Sequence, residues 1–129
     1  MKQEEVIARA RAVGQQRQMV EMEMERLMLS LVDLSNSLKT VKSLGDEEVL
    51  VPIGGGALVR AKFTTKKAFI PIGAGYTAEY GLENATAEID KRTKLTEKAI
   101  QTLRGELKKL DEEFRKLEQA YRKISEGGA

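Results

Sequence analysis

Apolar residues recur along the first third of the chain at alternating steps of four and three positions. The apolar members of this series are Val6, Ala10, Val13, Val20, Met24, Leu27, Leu31, Leu34, Leu38 and Val41. Because a step of about 3.5 residues keeps side chains on one face of a helix, the series predicts a coiled-coil helix over about residues 4–43. Arg17 is the polar residue that interrupts this seam. Gly45 is expected to end the helix by adopting the left-handed conformation.

A second series of the same kind runs through the last third of the chain. Its members are Leu82, Thr86, Ile89, Thr93, Thr96, Ile100, Leu103, Leu107, Leu110, Phe114, Leu117, Tyr121 and Ile124. The series predicts a second coiled-coil helix over about residues 83–125, which Gly127 and Gly128 are expected to stop. Since the two predicted helices are nearly equal in length, they can pair as an antiparallel hairpin within one chain.

The segment between the helices, about residues 47–80, alternates apolar and polar positions and is rich in Val, Ile and Gly. Val51-Pro52-Ile53-Gly54-Gly55-Gly56 recurs 19 positions later as Ile70-Pro71-Ile72-Gly73-Ala74-Gly75. We therefore predict two related β-hairpins with glycine-rich turns. The predicted fold class is mainly α with a small β part: a long antiparallel coiled-coil hairpin with two β-hairpins at its connection, in which residues 1–129 form a single subunit.

Both faces of the predicted hairpins carry apolar side chains, which hairpins of this size cannot cover by themselves. Pro52 and Pro71 also remove backbone donors from their strands, as edge strands tolerate. We therefore expect the hairpins of several chains to join in a β-barrel that mediates oligomerisation. The residues expected to form this contact are Leu50, Val51, Ile53, Leu58, Val59, Phe69, Ile70 and Ile72.

Composition narrows the range of possible functions. The 129 residues include no His and no Cys, so the chain lacks a disulfide, a thiolate nucleophile, a histidine base and the usual zinc ligands. We therefore expect no catalytic residues, no metal and no cofactor, and not an enzyme. The net charge of +2, with both signs interspersed, disfavours nucleic-acid binding. Without a long apolar run or a signal-peptide core, we expect a cytoplasmic protein with no membrane partner.

The antiparallel pairing would bring the two chain ends together, and the apolar residues there are candidates for an exposed binding surface. These candidates are Val6, Ile7, Ala10, Val13, Leu117, Ala120, Tyr121 and Ile124. Most of them also continue the seam, so burial between the helices is an equally open alternative. Gly14 and Arg17 are expected to weaken this end of the pair and let it open. Arg17 could instead pair with a carboxylate of the opposite helix, Glu106 or Glu113.

The order of the elements, with V-P-I-G-G-G-A and I-P-I-G-A-G-Y as turn motifs, resembles the archaeal α-type subunits of the prefoldin family. The resemblance runs end to end, and a second hairpin separates α-type from β-type chains in that family. It implies a hexamer of two α-type and four β-type subunits joined through β-barrels. It also implies a molecular chaperone that holds unfolded proteins between coiled-coil tips without ATP and passes them to a group II chaperonin.

A structural coiled-coil scaffold or filament subunit is the alternative function. It would share the same architecture, but the end of its helical pair would be closed and would bind no client. Suppression of the aggregation of a denatured protein, without nucleotide, separates the two functions.

Overall fold

A computed structural model describes residues 2–45 and 47–127 of the chain. The fold is mainly helical, with two small antiparallel β-hairpins between two long helices in the order of the sequence, as predicted. The elements are α1 Gln3–Ser43, β1 Val49–Gly54, β2 Ala57–Ala61, β3 Lys67–Gly73, β4 Tyr76–Gly81 and α2 Leu82–Gly127. Gly128, which was expected to help stop α2, lies outside the described residues. That the whole chain acts as a single subunit stays a prediction.

The chain divides into two compact units, and each contains part of both helices. The first unit comprises the residues up to Leu31 and those from Leu95 onward. Its core is the seam between α1 and α2, which excludes the apolar side chains of both helices from water. The buried residues of this core are Val6, Val13, Val20, Met24, Ile100, Leu110 and Leu117. The heptad spacing of the sequence therefore gives the packing it predicts.

The second unit, Val32–Lys94, contains both hairpins and the adjoining ends of the two helices. Each hairpin is a separate two-stranded sheet, β1 with β2 and β3 with β4. Ile70 of β3 packs with Ala85 and Ile89 of α2 in a small buried core. The partly buried side chains around this core are Leu34, Leu38, Val41, Ala68 and Tyr80.

The repeated turn motifs adopt the same backbone conformation in both hairpins. Gly55 and Gly56 have φ angles of 59° and 78°, and Ala74 and Gly75 have φ angles of 52° and 80°. Two consecutive residues with positive φ form the kind of tight turn that suits the right-handed twist of paired strands. Ala74 differs from the other three turn residues because it is not a glycine, and its Cβ disfavours the left-handed region that glycine enters freely.

The end of α1 differs from the expectation for its glycine. The helix ends at Ser43, but Gly45 does not adopt a positive φ, so the expected left-handed cap is wrong. Other hydrogen bonds satisfy carbonyl groups of the last turn instead. The Ser43 hydroxyl donates to the Thr40 carbonyl at 2.9 Å, and the Leu44 amide donates to the Val41 carbonyl at 3.3 Å.

Candidate functional site

A groove lies in the first unit where the beginning of α1 meets the last turns of α2. We call it the end groove; its volume is about 370 Å³. Each helix supplies four of its lining residues, which are Val6, Ile7, Ala10, Arg11, Phe114, Leu117, Glu118 and Tyr121. Six of these eight residues are apolar or aromatic, so the groove is suited to bind apolar side chains.

The floor and the sides of the end groove differ in exposure. Val6 and Leu117 form a buried floor because both belong to the seam. Ile7, Phe114 and Tyr121 stand at the sides and leave 38%, 43% and 40% of their surface exposed. Three large side chains therefore remain accessible at the end of the helical pair.

The exposure of Phe114 was not expected from its position in the heptad series. The ring lies beside Ala10 in the end groove and beside Gly14 in an adjoining cavity of about 310 Å³. Neither of these α1 residues has a side chain large enough to cover an aromatic ring. The small residues Ala10 and Gly14 therefore leave part of the Phe114 ring uncovered.

The structure places the eight predicted client-contact residues in three environments. Val6, Val13 and Leu117 are buried in the seam, so their contact with a client would require the helices to part. Ala10, Ala120 and Ile124 are half-buried against the same seam. Ile7 and Tyr121 are exposed at the groove. The sequence indicates the exposure of Ile7, because Ile7 lies one position after the seam residue Val6 and therefore outside the seam.

Ion pairs bridge the two helices beside the groove. Arg9 Nε donates to Glu113 Oε1 at 2.6 Å, and this hydrogen bond, aided by the charge of Glu113, raises the pKa of Arg9. Arg17 Nε donates to Asp111 Oδ1 at 2.7 Å. A pair between Arg17 and the opposite helix was predicted, but with Glu106 or Glu113. Asp111 is the actual partner because the spacing of one helix does not set its stagger against the other.

The remaining charges near the groove lie at its rim. Arg11 lines one side, and Glu118 lines the other, where it accepts a hydrogen bond from Arg122 at 3.2 Å. Because an exposed pair of this kind is screened by water and salt, it contributes little to stability. The rim is therefore polar around an apolar centre, as is common in sites that bind other proteins.

The two hairpins form a second exposed apolar surface, in the second unit. Its exposed members among the predicted oligomerisation residues are Leu50, Val51, Ile53, Leu58, Val59, Phe69 and Ile72. Ile70 differs from them, because it packs inside its own chain with only 7% of its surface exposed. In this conformation Ile70 supports the hairpin from within and is not offered to another chain.

The described residues contain neither a metal-binding cluster nor a helix that could span a membrane. Within residues 2–45 and 47–127, no three His, Cys, Asp or Glu side chains are grouped so that they could hold a metal ion. Over the same residues, neither helix has a stretch apolar and long enough to span a bilayer.

Comparison with known proteins gives consistent matches. A family model described as "Prefoldin subunit" matches residues 13–127. The prefoldin subunit alpha of Methanococcus aeolicus is 33% identical over 88 residues, which are 67% of this chain and 61% of that protein. The subunit of the same name from Methanopyrus kandleri is 44% identical over 68 residues, which are 51% of this chain and 43% of that protein. The matched regions thus cover less than two thirds of the length of both relatives.

Solved structures extend the likeness to the fold. A chain from the cryo-EM structure of filamentous PFD from Methanocaldococcus jannaschii is 29% identical, with a TM-score of 0.70, covering 84% of this chain and 93% of that one. The prefoldin beta subunit from Thermococcus strain KS-1 is 19% identical, with a TM-score of 0.64, covering 95% and 90%. The latter likeness concerns the fold alone. With two helices, two intervening hairpins and a family model that accounts for residues 13–127, this chain belongs to the prefoldin family.

Proposed function

We propose that this chain is a subunit of an ATP-independent molecular chaperone, not an enzyme, and that it binds unfolded proteins at the end groove. The observation that carries the proposal is the exposure of Ile7, Phe114 and Tyr121 around an apolar floor. Unfolded proteins expose the apolar side chains that folding would bury, and such side chains match this lining. The predicted residues Ala10, Ala120 and Ile124 pack against the buried core of the seam, and Ala10 also lines the groove.

A single groove would bind a client weakly. Burying one large apolar side chain contributes about 1.5–3 kcal/mol, which corresponds to a dissociation constant no tighter than about 1 mM. Several grooves on one assembly would raise the effective affinity by holding the same chain at several points. Weak individual contacts would also let the client leave without ATP hydrolysis.

Assembly through the hairpins would supply this multiplicity. We propose that the exposed apolar side chains of the hairpins join β-type prefoldin subunits in a β-barrel, with two α-type and four β-type subunits in the complex. Support comes from the exposure of residues such as Leu50, Ile53 and Phe69, which two-stranded sheets leave uncovered. We further propose, from family membership, that clients pass from this complex to a group II chaperonin.

The decisive experiment is the suppression of aggregation of a chemically denatured protein by the assembled complex without nucleotide. Ile7→Ser and Phe114→Ser should each weaken suppression, because both side chains stand exposed in the groove. Leu95→Ser is the matched control, since Leu95 is an exposed apolar residue of the same unit outside the groove. Equal suppression by all variants would exclude the end groove as the client site, whereas no suppression by the native chain would favour an inert scaffold or filament subunit.

Whether the end of the helical pair opens for clients stays a prediction, and Gly14 offers a test. A Cβ at Gly14 would meet nothing within 4 Å, so Gly14→Ala should stabilise α1 by about 1 kcal/mol and slow hydrogen exchange near the groove. Gly105→Ala on α2 is the control, because that site has equal room. If client binding requires the helices to part, Gly14→Ala lowers client capture more than Gly105→Ala does. The combined Gly14→Ala and Arg17→Leu variant would also lose the ion pair between Arg17 and Asp111.

A further inference from the structure

A second series with heptad spacing runs along α1 on the side opposite the seam. Its members are Ala8, Ala12, Gln15, Met19, Met22, Arg26 and Leu29, at steps of four and three residues. We call this series the outer face. At 100° per residue, Met22 lies about 160° around the helix from the seam residue Met24. Met19, Met22 and Leu29 are 71%, 64% and 65% exposed, so nothing in the described chain covers them.

The spacing of the outer face indicates what kind of element would cover it. Steps of four and three residues bring side chains to one seam, which is the pattern that another helix recognises by knobs-into-holes packing. The face extends over residues 8–29, which is about 32 Å of helix. Met supplies flexible, polarisable side chains that adapt to a partner's shape. The outer face is therefore built to contact a helix.

We propose that the outer face of α1 pairs, antiparallel, with the outer face of a second copy of this chain. In the register we infer, facing residues have numbers that sum to 41, so Met19 of one copy meets Met22 of the other. The same register places Ala12 opposite Leu29 and Gln15 opposite Arg26. The small Ala12 then faces the large Leu29, and an amide faces the only charged side chain of the series, while Ala8 lies opposite Asp33 at the end of the contact.

Charge and apolar contact together favour this register. An antiparallel register with a sum of 34 would set Arg11 near Glu25, but it would place Leu29 against Glu5. A parallel pairing in register would set Arg26 against Arg26 near one end of the contact, which is repulsive. An antiparallel register with a sum of 48 would bring Glu23 of one copy near Glu23 of the other, and Glu25 near Glu25, so that like charges repel beside the contact. In the register with a sum of 41, Gln16 lies near Glu23 and Gln18 near Glu25, so like charges do not meet.

The conformation of Arg26 fits this contact. Its guanidinium donates to both carboxylate oxygens of Glu23, at 2.5 Å and 3.0 Å, within the same helix. The pair holds the guanidinium toward Glu23 and leaves the aliphatic stem of Arg26 on the outer face, where it can pack. Because antiparallel pairing places the two end grooves at opposite ends of the contact, it would link two assemblies without blocking either groove.

The absence of Cys from the sequence allows a direct test by disulfide trapping in the full chain. Met19→Cys and Met22→Cys, expressed separately and mixed in a glutathione buffer, should form a disulfide between the two variants. Met19→Cys mixed with Leu29→Cys is the matched control, because those positions would be seven residues, about 10 Å, apart along the contact. A bridge needs Cα atoms within about 7 Å, so the first mixture should give about tenfold more heterodisulfide. Mass spectrometry of isotope-labelled variants measures the difference.

Each result of the trapping experiment decides the proposal. Preferential trapping of positions 19 and 22 supports it, whereas equal yields from both mixtures, or no heterodisulfide in either, overturn it. Met22→Lys should also abolish the trapping of a separate pair, Ala12→Cys with Leu29→Cys, while Leu95→Lys on α2 should not. Because the contact is separate from the hairpins and the end groove, it can fail while client binding persists, and the reverse also holds.

Discussion

The two β-hairpins share a turn motif that recurs 19 residues apart, yet their side chains meet different surroundings. Val51 of the first hairpin corresponds to Ile70 of the second by this offset. Val51 is exposed, whereas Ile70 is buried against Ala85 and Ile89 of α2. The turns are alike because turn geometry is local. The burial differs because it depends on which hairpin lies over the helices.

The comparison also separates two roles for similar apolar residues. The second hairpin is anchored within its own chain by Ile70, with Ala68 and Tyr80 half-buried beside it. The first hairpin contributes no buried residue to either core. Under the proposed assembly, the second hairpin fixes the position of the β part, and the first offers most of its apolar surface to partners.

The largest expected effect concerns the anchor. Ile70→Ala should lower the free energy of unfolding by about 3 kcal/mol, because it removes buried methyl and methylene groups and leaves a cavity. Val51→Ala, at the equivalent position, should change it by less than about 0.5 kcal/mol in the isolated chain. Urea denaturation followed by circular dichroism measures both values. Equal losses would show that the first hairpin is also buried in solution, and the comparison would fail.

A smaller effect is expected beneath the anchor, at Ala85. Its side chain is fully buried where Ile70 of β3 packs on α2. Ala85→Leu should cost about 1–3 kcal/mol, because the larger side chain would push the strand from the helix. Ala87→Leu is the control on an exposed position of the same helix and should be nearly neutral. If both substitutions are tolerated equally, the hairpin does not pack on α2 as described.

The turns provide a prediction of opposite sign. Ala74→Gly should stabilise the second hairpin by about 1 kcal/mol, because Ala74 has a φ of 52° and glycine removes the strain of its Cβ. Gly55→Ala at the equivalent site of the first hairpin should destabilise by a similar amount. Hydrogen exchange of the strand amides reports each hairpin separately. A loss of protection in Ala74→Gly would contradict the common turn geometry.

The smallest effect concerns the charges that distinguish the two strand pairs. Lys67 Nζ lies 3.8 Å from Glu79 Oε1 across the second hairpin, whereas the equivalent residues of the first are Glu48 and Arg60, with the signs exchanged. Glu79→Gln should lower stability by at most about 0.5 kcal/mol, since the pair is half-exposed. Denaturation at low and high salt tests this. A loss that persists at high salt would mean that Glu79 has another structural role.

Much of the fold could be predicted from local patterns. The heptad series indicates both helices, and the duplicated Pro and Gly motifs indicate both hairpins, since these signals depend on neighbours within a few residues. The candidate site was less accessible to this reasoning. Phe114 occupies a seam position in the sequence but is exposed, because Ala10 and Gly14 of the other helix leave it uncovered.

The sequence by itself determined the period of each helix, the turn conformations, the lack of His and Cys chemistry and the apolar character of the chain ends. The tertiary structure alone decided that Arg17 pairs with Asp111, that Ala85 is buried, and that Ile70 faces inward while Val51 does not. The physical reason is range: periodicity and turn preferences arise between near neighbours, whereas stagger and burial depend on contacts between residues far apart in the chain.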